Sequence, residues 1–274
     1  MNYIGIRGHR GAGKTTIAYL LGCTLDYMKS RSFNDDPILY KQKFIEWCED
    51  IKSDPQCLNR VALTHVIFEE FGDTPKMVLS MITGIPLADM DNQYKKDHII
   101  IDLRDFTTQM LDDEEIENLS SHDKIWTAVE YFDNIKYSRS PAAIREHTYM
   151  CLRELIVYFG VYVMQNALGL NVWIKSMQAN HKFFTALFDD DQNNFKIFSD
   201  IKASSEITFL KEHNGIIINV SRPNNKKKGG MNLLVGDSRY DFSMTIDCEL
   251  EDLWNEVYVL ATQIINKLNG NDSI

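Results

Sequence analysis

Residues 8–15 read Gly8-His9-Arg10-Gly11-Ala12-Gly13-Lys14-Thr15, which fits the phosphate-loop pattern GxxxxGK[ST]. The short apolar run 3–6 precedes this stretch, and an apolar spacing typical of a helix follows it from Lys14 to about Gly22. A strand, a glycine-rich turn and a helix in this order are the context in which the pattern binds nucleotide phosphates. The alternative interpretation is a glycine-rich surface turn.

The residue types in this loop predict what each would do. Small residues let backbone N–H groups turn toward phosphate oxygens, and a helix N-terminus adds positive potential. We therefore expect ATP as the ligand, with Lys14 at the β- and γ-phosphates and the Thr15 hydroxyl on Mg²⁺. The residues expected to hold the nucleotide are Gly8, Gly11, Ala12, Gly13, Lys14, Thr15 and Thr16.

Two predicted strands end in a carboxylate that is a candidate second ligand for Mg²⁺, Asp102 and Asp200. We favour Asp200 because it lies in the regular α/β half of the chain, although a strand-end Asp also caps helices. Neither carboxylate is followed by Glu, which argues for phosphoryl transfer to a bound acceptor and against a motor ATPase that must activate water.

The rest of the sequence predicts an α/β fold: a P-loop NTPase-type parallel sheet flanked by helices, with a large, mostly helical insertion. Residues 1–23 and 148–274 are expected to form the core. The insertion, 24–147, is acidic, rich in helix formers and interrupted by prolines, and includes a candidate acceptor-binding region. The predicted strands are 195–200, 216–220 and 244–246, and 98–103 is either a strand or the start of a buried helix. Helices are predicted from Leu152 to about Val163, at 204–213 and at 250–268.

Composition excludes several classes of protein. In 274 residues, 44% hydrophobic content is too high for a disordered chain. No apolar run reaches the roughly 18–20 residues that span a bilayer, and the N-terminus lacks a signal-peptide pattern. Five scattered cysteines without CxxC favour reduced thiols in the cytoplasm. The net charge of −10 argues against broad nucleic-acid binding, though not against a small anion in a basic pocket.

From Tyr149 onward, a series of stretches follows the P-loop: 152–160, 171–174, 199–202, 205–207, 214–223, 240–247 and 250–253. In their order and residues they resemble the deoxynucleoside monophosphate kinases of tailed bacteriophages. That family shares a P-loop followed by segments of the form RELLQxxGTDxxR…DxWV, SDVRFxNEAExIxxxGGxxIxVxRP and DxxIxNxGxLxxL. The stretch from Thr83 to Lys96 is more weakly similar to a TGxxxEDFxDRxxK segment, and the whole resemblance covers about half the chain.

The resemblance implies transfer of the ATP γ-phosphoryl group to a deoxynucleoside monophosphate, in support of phage nucleotide metabolism in the host cytoplasm. It implies that Arg153 binds the acceptor phosphate, a role that suits the guanidinium fork. It implies that Arg222 is a lid-side arginine that neutralises charge on the transferred group. The catalytic set is then Lys14, Arg153, Asp200 and Arg222, with Thr15 and Asp200 on the metal. Whether the chain forms a homodimer is left open. The protein is expected to bind neither a membrane nor nucleic acid directly.

Departures from the family pattern support a second hypothesis. Gln165 stands where an arginine is expected, Lys202 replaces the arginine of DVR, and Asn171 replaces the aspartate of DxW. A glutamine makes only neutral hydrogen bonds and holds a phosphate dianion less tightly. The alternative is therefore a nucleotide-binding interaction protein with a kinase-like fold and little turnover, and the length of the insertion also favours it.

Two further features carry weaker expectations. The run Lys226-Lys227-Lys228-Gly229-Gly230 is either a mobile lid or a solvated loop, with Arg239 as a second lid candidate. Arg10 either leans over the nucleotide or points to solvent. The side chains of Trp126, Trp173 and Trp254 are predicted to lie in the core.

Overall fold

The computed structural model describes residues 1–9, 11–30, 63, 65–137, 148–169, 171–185, 194–223, 238–248 and 252–270. The chain forms two compact units, Met1–Phe71 with His181–Ile274, and Gly72–Asn180. Strand residues 66–69 pair with the sheet of the first unit, and the described residues of 148–180 belong to the second unit.

The described elements alternate between strands and helices along much of the chain. The strands are β1 (Asn2–Gly8), β2 (Val66–Glu69), β3 (Ile99–Asp102), β4 (Thr108–Met110), β5 (Lys124–Ile125), β6 (Thr148–Cys151), β7 (Phe195–Ile201), β8 (Ile216–Ser221) and β9 (Phe242–Thr245). The helices are α1 (Lys14–Ser30), α2 (Asp73–Thr83), α3 (Leu87–Asp91), α4 (Gln93–His98), α5 (Asp113–His122), α6 (Ala128–Tyr137), α7 (Leu152–Val157), α8 (Asn166–Leu168), α9 (Val172–Thr185), α10 (Ser204–Glu212) and α11 (Leu253–Leu268). A π-helix, Tyr158–Gln165, continues α7.

The first unit contains a five-stranded parallel sheet in the order β2-β7-β1-β8-β9. The prediction of an α/β fold with helices around a parallel sheet is confirmed. Strands β1, β7 and β8 are mostly buried, as expected for parallel strands that are covered on both faces.

Helices cover both faces of this sheet. On one face, Ile4 and Ile6 are fully buried in a core that α1 and α11 complete through Ile17, Leu21 and Val257. On the other face, α10 packs so closely that a Cβ at Gly5 would lie 2.5 Å from Leu210 Cδ1. All parallel strands end at the same edge, so the residues that follow them lie side by side there.

Helix α1 extends beyond its predicted end. Gly22 was predicted to end it, yet the helix runs on to Ser30. Here glycine serves packing instead, because a Cβ at Gly22 would lie 2.4 Å from the Phe68 ring of β2. Within the described residues, no single helix is both long and apolar enough to cross a membrane.

The second unit combines its helices with a four-stranded sheet in the order β4-β3-β6-β5. The sequence predicted β3 alone of these strands, because β4 and β5 are only 3 and 2 residues long. The acidic run after Leu111 forms an exposed helix, α5, whose start carries a capping box between Asp112 and Glu115.

A separate core stabilises the second unit. Its buried members include Leu79, Met90, Ile101, Met150, Leu152 and Leu155. Buried Trp173 donates its indole N–H to the Gly160 carbonyl at 2.9 Å, which ties α9 to the π-helix. The core prediction is confirmed for Trp173 and Trp254, and half-buried Trp126 packs against the second core.

Candidate functional site

Glycines set the shape of the loop between β1 and α1. A Cβ at Gly8 would lie 2.2 Å from the Val220 carbonyl oxygen of the neighbouring strand β8. Gly11 and Gly13 have φ of 77° and 89°, in the left-handed region that other residues rarely adopt. A Cβ at Gly13 would also lie 2.8 Å from Ile246 Cδ1. The glycines of the pattern are therefore required by backbone conformation and close packing, which a loose surface turn does not demand.

Replacing Gly8 with alanine should lower the free energy of unfolding by about 1–3 kcal/mol, since the new methyl group must displace backbone of β8. Urea unfolding followed by circular dichroism measures this change. The matched control is Gly72→Ala, because the nearest atom to a Cβ there is Lys76 Cε at 3.8 Å. Equal stability of the two variants would contradict the close approach of β1 and β8.

The side chain of Lys14 lies at the mouth of the loop. Its Nζ donates to the carbonyls of Gly8 at 3.0 Å and His9 at 3.1 Å, and lies 3.4 Å from Asp200 Oδ1. The lysine side chain is only 12% exposed. Its ammonium group is thus held between the loop and the end of β7.

A break in strand register brings Asp200 to this position. Strand β1 pairs Gly5 with Phe198 and Arg7 with Ile201, so β7 has one extra residue between these pairs. Ile201 lies on the α10 face, within 3.2 Å of a Cβ at Gly5. Bulges of this kind re-aim side chains next to functional sites, and here the carboxylate contacts Lys14.

Asp200 stays ionised at neutral pH. Burial alone would raise the pKa of this carboxyl, but the ammonium groups of Lys202 and Lys14 outweigh burial and hold the pKa below its usual value. Lys202 Nζ lies 2.5 Å from Asp200 Oδ2. A metal ligand must be deprotonated, so Asp200 is in the form that a divalent cation requires.

Glu70 also lies at this edge and was not among the predicted site residues. It follows β2, where Glu69 pairs with Phe198 of β7, and its Oε1 accepts a hydrogen bond from Ser199 Oγ at 2.9 Å. The signal was present in the sequence, because the apolar run 66–68 is followed by two glutamates, just as 195–199 is followed by Asp200.

The predicted arginines occupy different units. Arg222 is exposed and follows β8, two residues after Val220. Because Val220 pairs with Gly8 of the loop, Arg222 lies at the same sheet edge as the loop. Arg153 belongs to the second unit, at the start of α7. There its guanidinium binds the carboxylate of Asp97 through both Nε and Nη2, the latter at 2.9 Å from Oδ2.

The loop lies at a topological switch point of the sheet. After β1, the next described strand of this sheet is β2, which lies on the far side of β7. After β7, the chain passes through α10 to β8, which lies on the far side of β1. The connections of these neighbours leave in opposite directions. In open parallel sheets, the crevice at the carboxyl ends of such strands is where ligands bind. Thr15 and Thr16 lie in the first turn of α1 at this crevice.

The alternative metal carboxylate, Asp102, lies in the second unit. It is buried and accepts hydrogen bonds from the Arg104 backbone N–H at 2.9 Å and the Arg104 guanidinium. These bonds hold the pKa of Asp102 below its usual value, against the opposing effect of burial. The contacts tie the β3–β4 hairpin together.

The lid candidates are described only in part. Arg239 donates to Thr208 Oγ1 at 2.9 Å and to the Ser204 carbonyl at 3.1 Å, so it lies against α10. Arg10 and the run 226–230 lie outside the described residues.

Comparison with known proteins does not assign this site. No protein-family model matches the chain, and no curated protein matches it. The chemistry of the site is therefore inferred from its own residues and their contacts.

Proposed function

We propose that the first unit binds ATP with Mg²⁺ at the β1–α1 loop and transfers the γ-phosphoryl group to a deoxynucleoside monophosphate. The observation that carries this proposal is the 3.4 Å approach of Lys14 Nζ to Asp200, beside a loop of required glycines. A lysine and a carboxylate next to a helix N-terminus form the electrostatic set that phosphoryl transfer uses.

The residues at this edge fit a magnesium nucleotide. The loop N–H groups and the start of α1 favour phosphate oxygens. The Thr15 hydroxyl and the ionised Asp200 carboxylate are hard oxygen ligands of the kind that Mg²⁺ prefers. The bound metal would neutralise charge that develops between the β- and γ-phosphates.

Lys14 would exchange its present partners for phosphate. Its Nζ now donates to two loop carbonyls, and these bonds are replaced by charge-assisted bonds to the β- and γ-phosphates, which are roughly twice as strong as neutral ones. Arg222, at the same edge, would add positive charge near the transferred group. Arg153 is the proposed ligand of the acceptor phosphate, a role that rests on the resemblance alone.

A coupled ADP-release assay tests this function. The acceptors are the four deoxynucleoside monophosphates and 5-hydroxymethyl-dCMP, each with ATP and Mg²⁺. We expect at least one acceptor to raise ADP release well above the acceptor-free rate. ADP release that no acceptor changes would count against the kinase.

A second candidate is a nucleotide-binding interaction protein with little turnover. It is favoured by the ion pair in which Asp97 occupies the guanidinium fork of Arg153, and by Gln165 at an expected arginine position. Tight ATP binding without any acceptor-dependent ADP release would support this candidate over the kinase.

Two substitutions should change acceptor affinity in opposite directions. Gln165→Arg adds a charge-assisted hydrogen bond to phosphate of about 1.5–3 kcal/mol, which is about ten- to a hundredfold in affinity. Arg153→Ala removes a bond of the same kind and should weaken acceptor binding by a similar factor. Titration of a deoxynucleoside monophosphate at fixed ATP analogue measures both effects.

The matched control for these variants is Asn166→Arg, which adds the same charge at the neighbouring exposed position. We expect it to leave acceptor affinity unchanged, and we expect ATP affinity to be the same in all three variants. If acceptor affinity is unchanged by Gln165→Arg and by Arg153→Ala, neither residue faces the acceptor.

A further inference from the structure

Both oxygens of the Asp200 carboxylate lie close to an ammonium group. Lys14 Nζ is 3.4 Å from Oδ1, and Lys202 Nζ is 2.5 Å from Oδ2. The proposed function gives roles to Lys14, which would move to phosphate, and to Asp200, which would bind Mg²⁺. It gives none to Lys202, although the ammonium group of this lysine is the nearer of the two to the carboxylate.

The two lysine side chains are held differently. The Lys14 side chain is only 12% exposed and donates to the carbonyls of Gly8 and His9, whereas the Lys202 side chain is 60% exposed. A largely exposed lysine has a flexible stem and a strongly hydrated ammonium group, so it leaves an ion pair for water at little cost. Lys202 is therefore the ammonium group that another cation can replace more easily.

The backbone at Lys202 is fixed independently of its side chain. Glu206, in the first turn of α10, accepts hydrogen bonds at Oε2 from the backbone N–H of Lys202 at 2.7 Å and of Ala203 at 3.0 Å. These bonds hold the turn between β7 and α10 directly after Asp200. Separation of Lys202 from Asp200 thus requires rotation of the lysine side chain and no movement of the strand end.

Charge determines when such an exchange is favourable. A divalent cation that binds Asp200 adds two positive charges beside two ammonium groups, and like charges repel strongly in a partly buried site. A nucleotide triphosphate supplies the compensating negative charge, because its oxygens bind Lys14 and also coordinate the cation. Asp200 is therefore a poor ligand for a free cation and a good ligand for a cation that arrives with phosphate.

We propose that Lys202 is a placeholder cation, which keeps free divalent cations from Asp200 and so couples metal binding to nucleotide binding. The inference rests on the ATP site proposed above and adds a means of regulation to it. When the nucleotide binds, Asp200 exchanges the Lys202 ammonium group for the metal, and the Lys202 side chain rotates into solvent. Coupling between two ligands typically changes affinity by about 5- to 150-fold.

Mn²⁺ binding by the protein without nucleotide tests the inference and does not depend on turnover. Mn²⁺ prefers the same oxygen ligands as Mg²⁺, and the electron paramagnetic resonance signal of the free ion weakens on binding. Lys202→Met removes the charge and keeps much of the side-chain length. We expect this variant to bind Mn²⁺ at least about fivefold more tightly than the wild type. Lys202→Arg keeps the charge and should bind Mn²⁺ as the wild type does.

Two control variants locate the effect. Lys175→Met removes the same charge from an exposed position of α9, and we expect no gain in Mn²⁺ affinity from it. Addition of Asp200→Asn to Lys202→Met should abolish the gain, because the tighter binding needs the Asp200 carboxylate. With saturating ATP analogue, the wild type and Lys202→Met should bind Mn²⁺ with similar affinity, since Lys202 has then already left the carboxylate.

Equal Mn²⁺ affinity of the wild type and Lys202→Met without nucleotide, or a gain that persists with Asp200→Asn, would overturn the inference. Calorimetric titration of the wild type with ATP analogue and Mg²⁺ distinguishes this failure from that of the proposed function. If the analogue binds, the nucleotide site stands and only the placeholder role of Lys202 fails. If the analogue does not bind, the nucleotide site fails as well.

Discussion

Replacing Lys14 with alanine is expected to abolish phosphoryl transfer and to weaken ATP binding by about a hundredfold or more. The side chain is proposed to make charge-assisted hydrogen bonds to the β- and γ-phosphates, each worth about 1.5–3 kcal/mol. Calorimetric titration with a non-hydrolysable ATP analogue measures the loss of affinity, and ADP release measures the loss of turnover. Since the contacts of Nζ with described residues are to loop carbonyls and Asp200, its removal should leave the fold intact.

Lys175→Ala is the matched control, because it removes an exposed lysine from helix α9 of the second unit. We expect that variant to bind ATP analogue as the wild type does. A folded Lys14→Ala variant with wild-type ATP affinity and turnover would falsify the assignment of the loop as a phosphate site.

Replacing Asp200 with asparagine is expected to lower Mg²⁺-dependent turnover on the order of 100-fold, the range seen when one electrostatic group of an active site is removed. The amide is a weaker ligand for a hard cation than the carboxylate. It also leaves the ammonium groups of Lys14 and Lys202 without the charge that now lies between them. Activity measured over a range of Mg²⁺ concentrations should show a higher requirement for the metal.

Asp102→Asn provides the comparison, since it makes the same chemical change at the other strand-end carboxylate. Because Asp102 binds Arg104 within the second unit, we expect that variant to lose stability in urea and to keep its Mg²⁺ dependence. If Asp102→Asn raises the Mg²⁺ requirement and Asp200→Asn does not, Asp102 and not Asp200 is the metal carboxylate.

Much of the first unit could be predicted from local sequence patterns. Strands β1, β7 and β8 are short apolar runs, and helix α10 lies between two of them with a glycine before the next strand. Parallel strands buried on both faces leave this continuous apolar signal. The loop needs glycines for its backbone conformation, and these glycines are visible directly in the sequence.

The features that the sequence did not reveal depend on contacts between distant segments. The end of α1 was misplaced because Gly22 packs against Phe68 of β2. Strands β4 and β5 are too short to show a period of two, and they exist through pairing with β3 and β6. The direction of Asp200 depends on a bulge against β1, and the position of Glu70 depends on the register of β2. Neither register is encoded locally.

The central claim is that the loop binds the β- and γ-phosphates of a nucleotide. Calorimetric titration of the wild type with a non-hydrolysable ATP analogue, ADP and AMP, each with Mg²⁺, tests it most directly. The account predicts that affinity falls stepwise from the ATP analogue to ADP to AMP, since each lost phosphate removes bonds to Lys14 and the loop, worth about tenfold or more per step. Equal affinity for AMP and the ATP analogue, or no binding of either, would contradict it.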